Sequence, residues 1–295
     1  MKKFFLAVFV LALAFSAFAE MKFARIEDVV YRRKFGMNLT LDVLQPEKTN
    51  GHGIVFMVSG GFNSSHESIN PNFYQPLLNR GYTVFAVVHS AQPKFTITEI
   101  ELDIHRAVRF IRHNAIKFGV DPTRLGITGA SSGGHLTLTM ATQGAKGNPT
   151  AWDLVDRESS EVQAAACFYP PTDFLNWSKP GDDCVGINTL LPFQSAFGPD
   201  SFSPEGRQKL GKEISPLYFV TSNLAPTLVI HGDADALVPI YQARIFEKRC
   251  AEIKAPYKLI VKPGANHGWT GMDKDLEIFA DWFDEHLRDV KPKSP

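Results

Sequence analysis

Gly129-Ala130-Ser131-Ser132-Gly133-Gly134-His135 is the stretch on which the fold turns. It contains the pattern G-x-S-x-G with Ser131 at its centre. A short strand-like run at 124–128 leads in, and a helix-compatible run at 136–140 leads out. A strand that turns abruptly into a helix holds its corner residue in a strained conformation, so the neighbours on both sides must lack bulk. The new helix points its positive end at the serine oxygen. Ser132 is a rival nucleophile, but only Ser131 is centred between Gly129 and Gly133.

Working outward, strand and helix signals alternate. Residues 29–33 and 39–44 read as an opening hairpin, with Gly36-Met37-Asn38 near its turn. Runs at 53–58 and 82–88 are continuously apolar, as in strands buried on both faces. Ile100, Ile104, Ala107, Val108, Ile111 and Ala115 follow three-and-four spacing and predict an amphipathic helix, stopped by Gly119 and Asp121-Pro122. Further strands are expected at 162–168, 227–230 and 257–261, with helices at 240–251 and around Leu276, Phe279, Ala280, Phe283 and Leu287. This alternation predicts an α/β fold: a mostly parallel central sheet, helices on both faces and an antiparallel N-terminal edge hairpin. Ligands in such sheets sit beyond the carboxyl ends of the strands.

The pattern breaks at 170–223, which is rich in Pro, Gly and aromatics, among them Phe174, Trp177, Phe193, Phe197, Phe202, Tyr218 and Phe219. It reads as an insertion near the active site that shapes a pocket wall, with most of its aromatics packed as core.

A serine hydroxyl is a weak nucleophile at neutral pH. It needs a base, and the base needs an orienting acid. Two more loops follow apolar strands: His231-Gly232-Asp233-Ala234-Asp235 and Gly264-Ala265-Asn266-His267-Gly268. Both fall at the same edge as Ser131. His267, between two glycines, is the expected base, while Asp233 and Asp235 compete as the acid. His231 closes a strand and reads as packed. After the strand at 53–58 come Ser59-Gly60-Gly61-Phe62, where glycines let backbone N–H groups approach a developing negative charge. Gly60, Gly61 and Ser132 are the expected oxyanion-hole donors.

Composition narrows the class. The chain of 295 residues carries 31 basic and 31 acidic side chains, so it has no electrostatic footprint for nucleic acid or anionic membranes. Lys2-Lys3, an apolar run at 4–15 and Ala17-Phe18-Ala19 predict a signal peptide over 1–19, with cleavage after Ala19 and a secreted or periplasmic domain over 20–295. The run is shorter than the roughly 20 residues needed to span a bilayer, so no membrane span is expected after cleavage. Export permits disulfides. Three cysteines, Cys167, Cys184 and Cys250, leave any one pair possible, or three buried free thiols. None has metal-ligand spacing, and no metal or cofactor is implied.

With these residues in view, the chain resembles the esterase/lipase branch of the α/β-hydrolase fold. It is especially similar to secreted bacterial carbohydrate esterases of the feruloyl and acetyl-xylan type. The resemblance rests on Gly60-Gly61-Phe62, on 103–112 and 118–125, and on the three motif loops out to Trp269. It implies the order Ser, acid, His. It also implies that the acid is the Asp of D-x-x-V-P, which maps onto Asp235 rather than Asp233. Val58 and Ser59 stand where relatives commonly carry the His and first Gly of H-G-G-G. The implied activity is hydrolysis of small or carbohydrate-linked esters by Ser131, His267 and Asp235. Two rivals remain: a serine peptidase of the prolyl-oligopeptidase type, and a non-catalytic relative used for binding.

Overall fold

The structure, a computed structural model, describes residues 22–290, so the expected leader lies outside the described residues. The chain opens with strands β1 (Phe23–Lys34) and β2 (Met37–Pro46), paired antiparallel. Their two-residue turn is Phe35-Gly36, one position earlier than the sequence suggests, and both residues have positive φ (49° and 74°). That is the type I′ geometry whose twist matches a hairpin.

Strands β3 (Gly53–Val58), β4 (Thr83–Val88), β5 (Leu125–Ala130), β6 (Ala164–Phe168), β7 (Thr227–Gly232) and β8 (Tyr257–Lys262) complete one eight-stranded sheet. The spatial order is β1-β2-β4-β3-β5-β6-β7-β8, with β3 to β8 mutually parallel and only β1 and β2 reversed. From β3 the chain first moves to one side, to β4, and then returns past β3 to β5 on the other side. This reversal opens a crevice at the carboxyl ends of β3 and β5, where doubly wound sheets bind ligands.

Alternation along the strands sends side chains to two separate cores. Val55 and Met57 of β3 join the apolar faces of α2 (Ile97–His113), α3 (Ser132–Gln143) and α6 (Tyr241–Ile253). Ile54, Phe56 and Val58 join α1 (Gln75–Asn79) and α7 (Met272–Leu287) on the opposite face. Each large side chain so buried contributes about 1.5–3 kcal/mol. The predicted stripe of α2 is the buried one: Ile100, Ile104, Ala107, Val108 and Ile111 are all within 1% of full burial. The helix starts where the Thr96 backbone N–H donates to the Glu99 carboxylate at 2.9 Å, and a 3-10 turn after it ends on Gly119 at φ 66°.

The 170–223 segment is less irregular than its composition suggests. It contains 3-10 turns, α4 (Gln194–Phe197) and α5 (Pro204–Ile214). Pro and Gly cut most of these pieces short, and α5, the longest, buries only Leu210, Gly211 and Ile214, so little helical period shows in the sequence. Ser203-Pro204 was a visible start signal: the Ser203 hydroxyl accepts from the Gly206 N–H at 3.0 Å, with Pro204 at the first helical position. Of its aromatics, Phe174, Trp177 and Phe197 are buried, whereas Phe202 and Tyr218 are exposed. Among the described residues, no helix is long and apolar enough to cross a membrane. All three cysteines are buried free thiols, and burial pushes Cys184 up to about 11.

Candidate active site

Ser131 stands at the corner between β5 and α3 with φ 56° and ψ −121°, a conformation costly for a residue with a side chain. The surrounding glycines make this corner possible. A Cβ on Gly129 would lie 2.5 Å from the Gly133 carbonyl oxygen, and one on Gly133 would lie 2.9 Å from the Met57 carbonyl oxygen. These obstacles are backbone atoms, which cannot swing aside.

Because β5 to β8 run parallel, their carboxyl ends present Ser131, Asp235 and His267 at one edge of the sheet. The Ser131 Oγ lies 2.9 Å from His267 Nε2, and His267 Nδ1 lies 2.8 Å from Asp235 Oδ2. The carboxylate accepts only, so Nδ1 carries the ring proton and Nε2 is left to accept from the serine hydroxyl. Asp235 Oδ1 accepts the Leu237 and Val238 N–H groups, each at 2.9 Å. Burial alone would raise the Asp235 carboxyl. Hydrogen bonds from His231, His267 and the Val238 N–H outweigh it and hold the group well below the usual carboxylate range. Asp233 faces solvent and caps the neighbouring loop, its Oδ1 accepting the Gly264 N–H at 2.6 Å. Ser132 is also removed as a rival, since its buried hydroxyl lies 2.9 Å from the Ser59 hydroxyl rather than against a base.

The oxyanion loop differs in one respect from expectation. Gly60 N–H donates to the Asn63 carbonyl at 3.0 Å, and Asn63 N–H returns a bond to the Gly60 carbonyl at 2.9 Å. The N–H of Gly60 is therefore spent inside its own turn, which removes it from the expected donor set. Gly61 N–H has no acceptor among the described residues, and Ser132 N–H, the first of α3, has none within its helix. Ser59, which fills a glycine position of the H-G-G-G pattern, ties this loop to Ser132.

His231 is packed at its strand end as expected, but its contact with the acid, and the roles of Asn266 and Tyr169, go beyond the sequence reading. His231 is buried at the end of β7, with Nε2 2.8 Å from the Val238 carbonyl and 3.4 Å from Asp235 Oδ2. Its spacing four residues before the acid was the available signal. Asn266 Oδ1 accepts the N–H groups of His267 and Ala236, joining the base and acid loops. The Tyr169 ring lies 4.4 Å from the His267 ring. No spacing rule marks either residue.

A cavity of about 360 Å³ opens beside Ser131. The 170–223 segment supplies much of its wall through Phe174, Trp177, Leu190, Phe193 and Phe197, and Leu237 and Val238 add to it. Four aromatics read chiefly as core thus also line the pocket. Away from it, Glu27, Asp42 and His66 come within metal-ligand range of one another. Arg25 already sits 2.5 Å from Asp42, so charge pairing accounts for this cluster.

This is the α/β-hydrolase fold, with a serine, a histidine and an aspartate linked in a hydrogen-bonded chain at the carboxyl edge of its sheet. The model of the BD-FAE family matches residues 41–250, and the chain belongs to that family. Among curated relatives, esterase LipQ of Mycobacterium tuberculosis is 28% identical over 199 residues, covering 66% of this chain and 45% of its own. Ethyl acetate hydrolase of Pseudomonas putida is 24% identical, covering 89% of this chain and 83% of its own. The chain spans about half the length of the mycobacterial relatives it matches. Among solved structures, a truncated carbohydrate esterase from gut microbiota superposes with a TM-score of 0.75 at 25% identity, covering 92% of this chain and 99% of that one. An esterase of Thermogutta terrifontis shares the fold, with a TM-score of 0.69 at 22% identity over 94% of this chain and 96% of that one.

Proposed function

We propose that the protein is a serine esterase that cleaves carboxylic esters through an acyl-enzyme, acting outside the cytoplasm on short-chain or carbohydrate-linked substrates. The observation that carries this reading is the unbroken chain Asp235–His267–Ser131, with 2.8 and 2.9 Å links, at the mouth of an apolar cavity. Ser131 Oγ attacks the ester carbonyl while His267 Nε2 takes its proton. Asp235 keeps the ring in the correct tautomer and stabilises the imidazolium. The N–H groups of Gly61 and Ser132 receive the oxyanion, each such donor being worth roughly 3 kcal/mol in the transition state. His267 then protonates the departing alcohol and later deprotonates the water that splits the acyl-enzyme.

The cavity of about 360 Å³, walled by Phe174, Phe193 and Phe197, suits an apolar acyl group, and the carbohydrate esterase among the structural neighbours supports a sugar-linked alcohol. The apolar start of the chain, with Ala17-Phe18-Ala19 behind it, supports export. The test is a panel of p-nitrophenyl acyl esters, acetylated and feruloylated sugars, and a proline-linked peptide, run on wild type and Ser131→Ala. Ester turnover that falls to background in Ser131→Ala, with no peptide cleavage, is the expected result. Peptide cleavage, or unchanged ester turnover in the variant, would overturn the reading.

A further inference from the structure

The tip of the oxyanion loop adopts a turn that its sequence does not favour. Gly60 to Asn63 form a closed two-residue turn, with Gly61 at φ 56° and Phe62 at φ 62°. Positive φ at both central residues is the type I′ signature, which suits Asn-Gly or Gly-Gly. A Gly followed by a bulky residue suits type II′ instead, in which the second residue relaxes to negative φ. The two differ by a flip of the single peptide between Gly61 and Phe62.

That peptide is held from outside the turn. Gln92 Nε2 donates to the Gly61 carbonyl at 2.5 Å, and the next peptide, Phe62–Asn63, is held by the Gln92 backbone N–H, which donates to the Phe62 carbonyl at 3.3 Å. The amide of Gln92 is itself oriented, because its Oε1 accepts the Ser195 hydroxyl from the 170–223 segment. Asn63 Nδ2, at 3.4 Å, is the one other side-chain donor to the Gly61 oxygen among the described residues. Since the peptide is planar and trans, fixing the Gly61 carbonyl toward Gln92 turns the Phe62 N–H to the opposite side. Gly61 and Phe62 line the cavity beside Ser131 and Gln92 does not.

From this geometry we infer that Gln92 is a positioning residue for the oxyanion hole, and that the donor it aims is the N–H of Phe62, in place of the committed N–H of Gly60. Without Gln92 the peptide flips, and the Gly61 carbonyl oxygen faces the cavity where an N–H is needed. The inference rests on the esterase reading. It adds a residue far along the chain to the transition-state machinery, and it links the pocket-forming segment to the oxyanion loop through Ser195.

Two variants test it. Gln92→Glu keeps an acceptor for Ser195 but, when ionised, has no hydrogen for the Gly61 carbonyl. Gln92→Met matches the length and lacks both groups. At pH 8, with p-nitrophenyl acetate, both should lose at least tenfold in kcat with KM within twofold, and both should melt within a few degrees of wild type. A trifluoromethyl ketone, whose oxyanion occupies the hole, should bind more weakly in proportion to the loss in kcat/KM. As pH falls toward 5, the introduced carboxyl gains a proton and can donate to Gly61. The ratio of Gln92→Glu to wild-type kcat should then rise, while that of Gln92→Met stays flat. A kcat within twofold of wild type in both variants, a loss confined to KM, or a flat ratio for Gln92→Glu would overturn the inference. Absence of ester turnover in the wild type would instead remove the esterase reading beneath it.

Discussion

The corner at 129–135 and the segment at 170–223 both shape the active site, yet they are held by different kinds of force. At the corner, backbone atoms lie so close to Gly129, Gly133 and Gly134 that almost no other residue fits. The constraint is local, and it leaves a local mark in the sequence. The segment at 170–223 is anchored from afar. Gln242 of α6 is fully buried, and its Oε1 accepts the N–H groups of Thr172 and Asp173 at 2.8 and 2.7 Å. Its Nε2 donates to the carbonyls of Asp173, Asn176 and Trp177. One glutamine thus satisfies backbone groups that no helix or strand pairs. The corner fixes where the Ser131 hydroxyl stands, and the distant anchor fixes the segment that walls the cavity beside it.

Four substitutions probe that division. The largest effect belongs to the machinery: Asp235→Asn should lower kcat by about 10²–10⁴ on an ester substrate, because the ring loses its tautomer lock. Asp233→Asn should stay within a few-fold, and the reverse order in steady-state kinetics would break the acid assignment. Gln242→Leu should cost about 3 kcal/mol or more in denaturant unfolding, since several buried backbone groups lose their partner together. A loss below about 1 kcal/mol would mean that the segment is held by its apolar contacts alone. Phe193→Ala should enlarge the cavity and shift the kcat/KM ratio of butyrate to acetate esters upward by roughly tenfold. An unchanged ratio would take this ring out of the acyl wall.

The last and smallest effect is on stability against pH. The folded Asp235 carboxyl lies below its unfolded value of about 3.9. Its contribution is therefore present above that value and lost as pH falls below it toward the folded value. The unfolding free energy of wild type relative to Asp235→Asn should narrow between pH 6 and pH 3. A difference that is constant or widens would contradict the depressed carboxyl.

The same division explains what could be read without coordinates. The stripe of α2, the apolar strands and the three motif loops follow from period, burial and turn chemistry, all of which are local. Asp235 was separable from Asp233 only through resemblance, because which of the two turns inward depends on the N–H groups of Leu237 and Val238 and on His231. Glycine-rich composition marks a loop whose N–H groups can approach a charge, but it does not say which N–H the turn itself consumes, here that of Gly60. Asn63, three residues on, consumes it. Gln92, Gln242 and Asn266 act through single polar side chains that span distant parts of the chain, and no periodicity reports them.

The most direct test of the central claim is covalent. Incubation with a fluorophosphonate, followed by peptide mass spectrometry, should give one adduct per chain, on Ser131, and Asp235→Asn should slow its formation at least a hundredfold. An adduct on Ser132 or on a distant serine, or a rate indifferent to Asp235, would contradict the account.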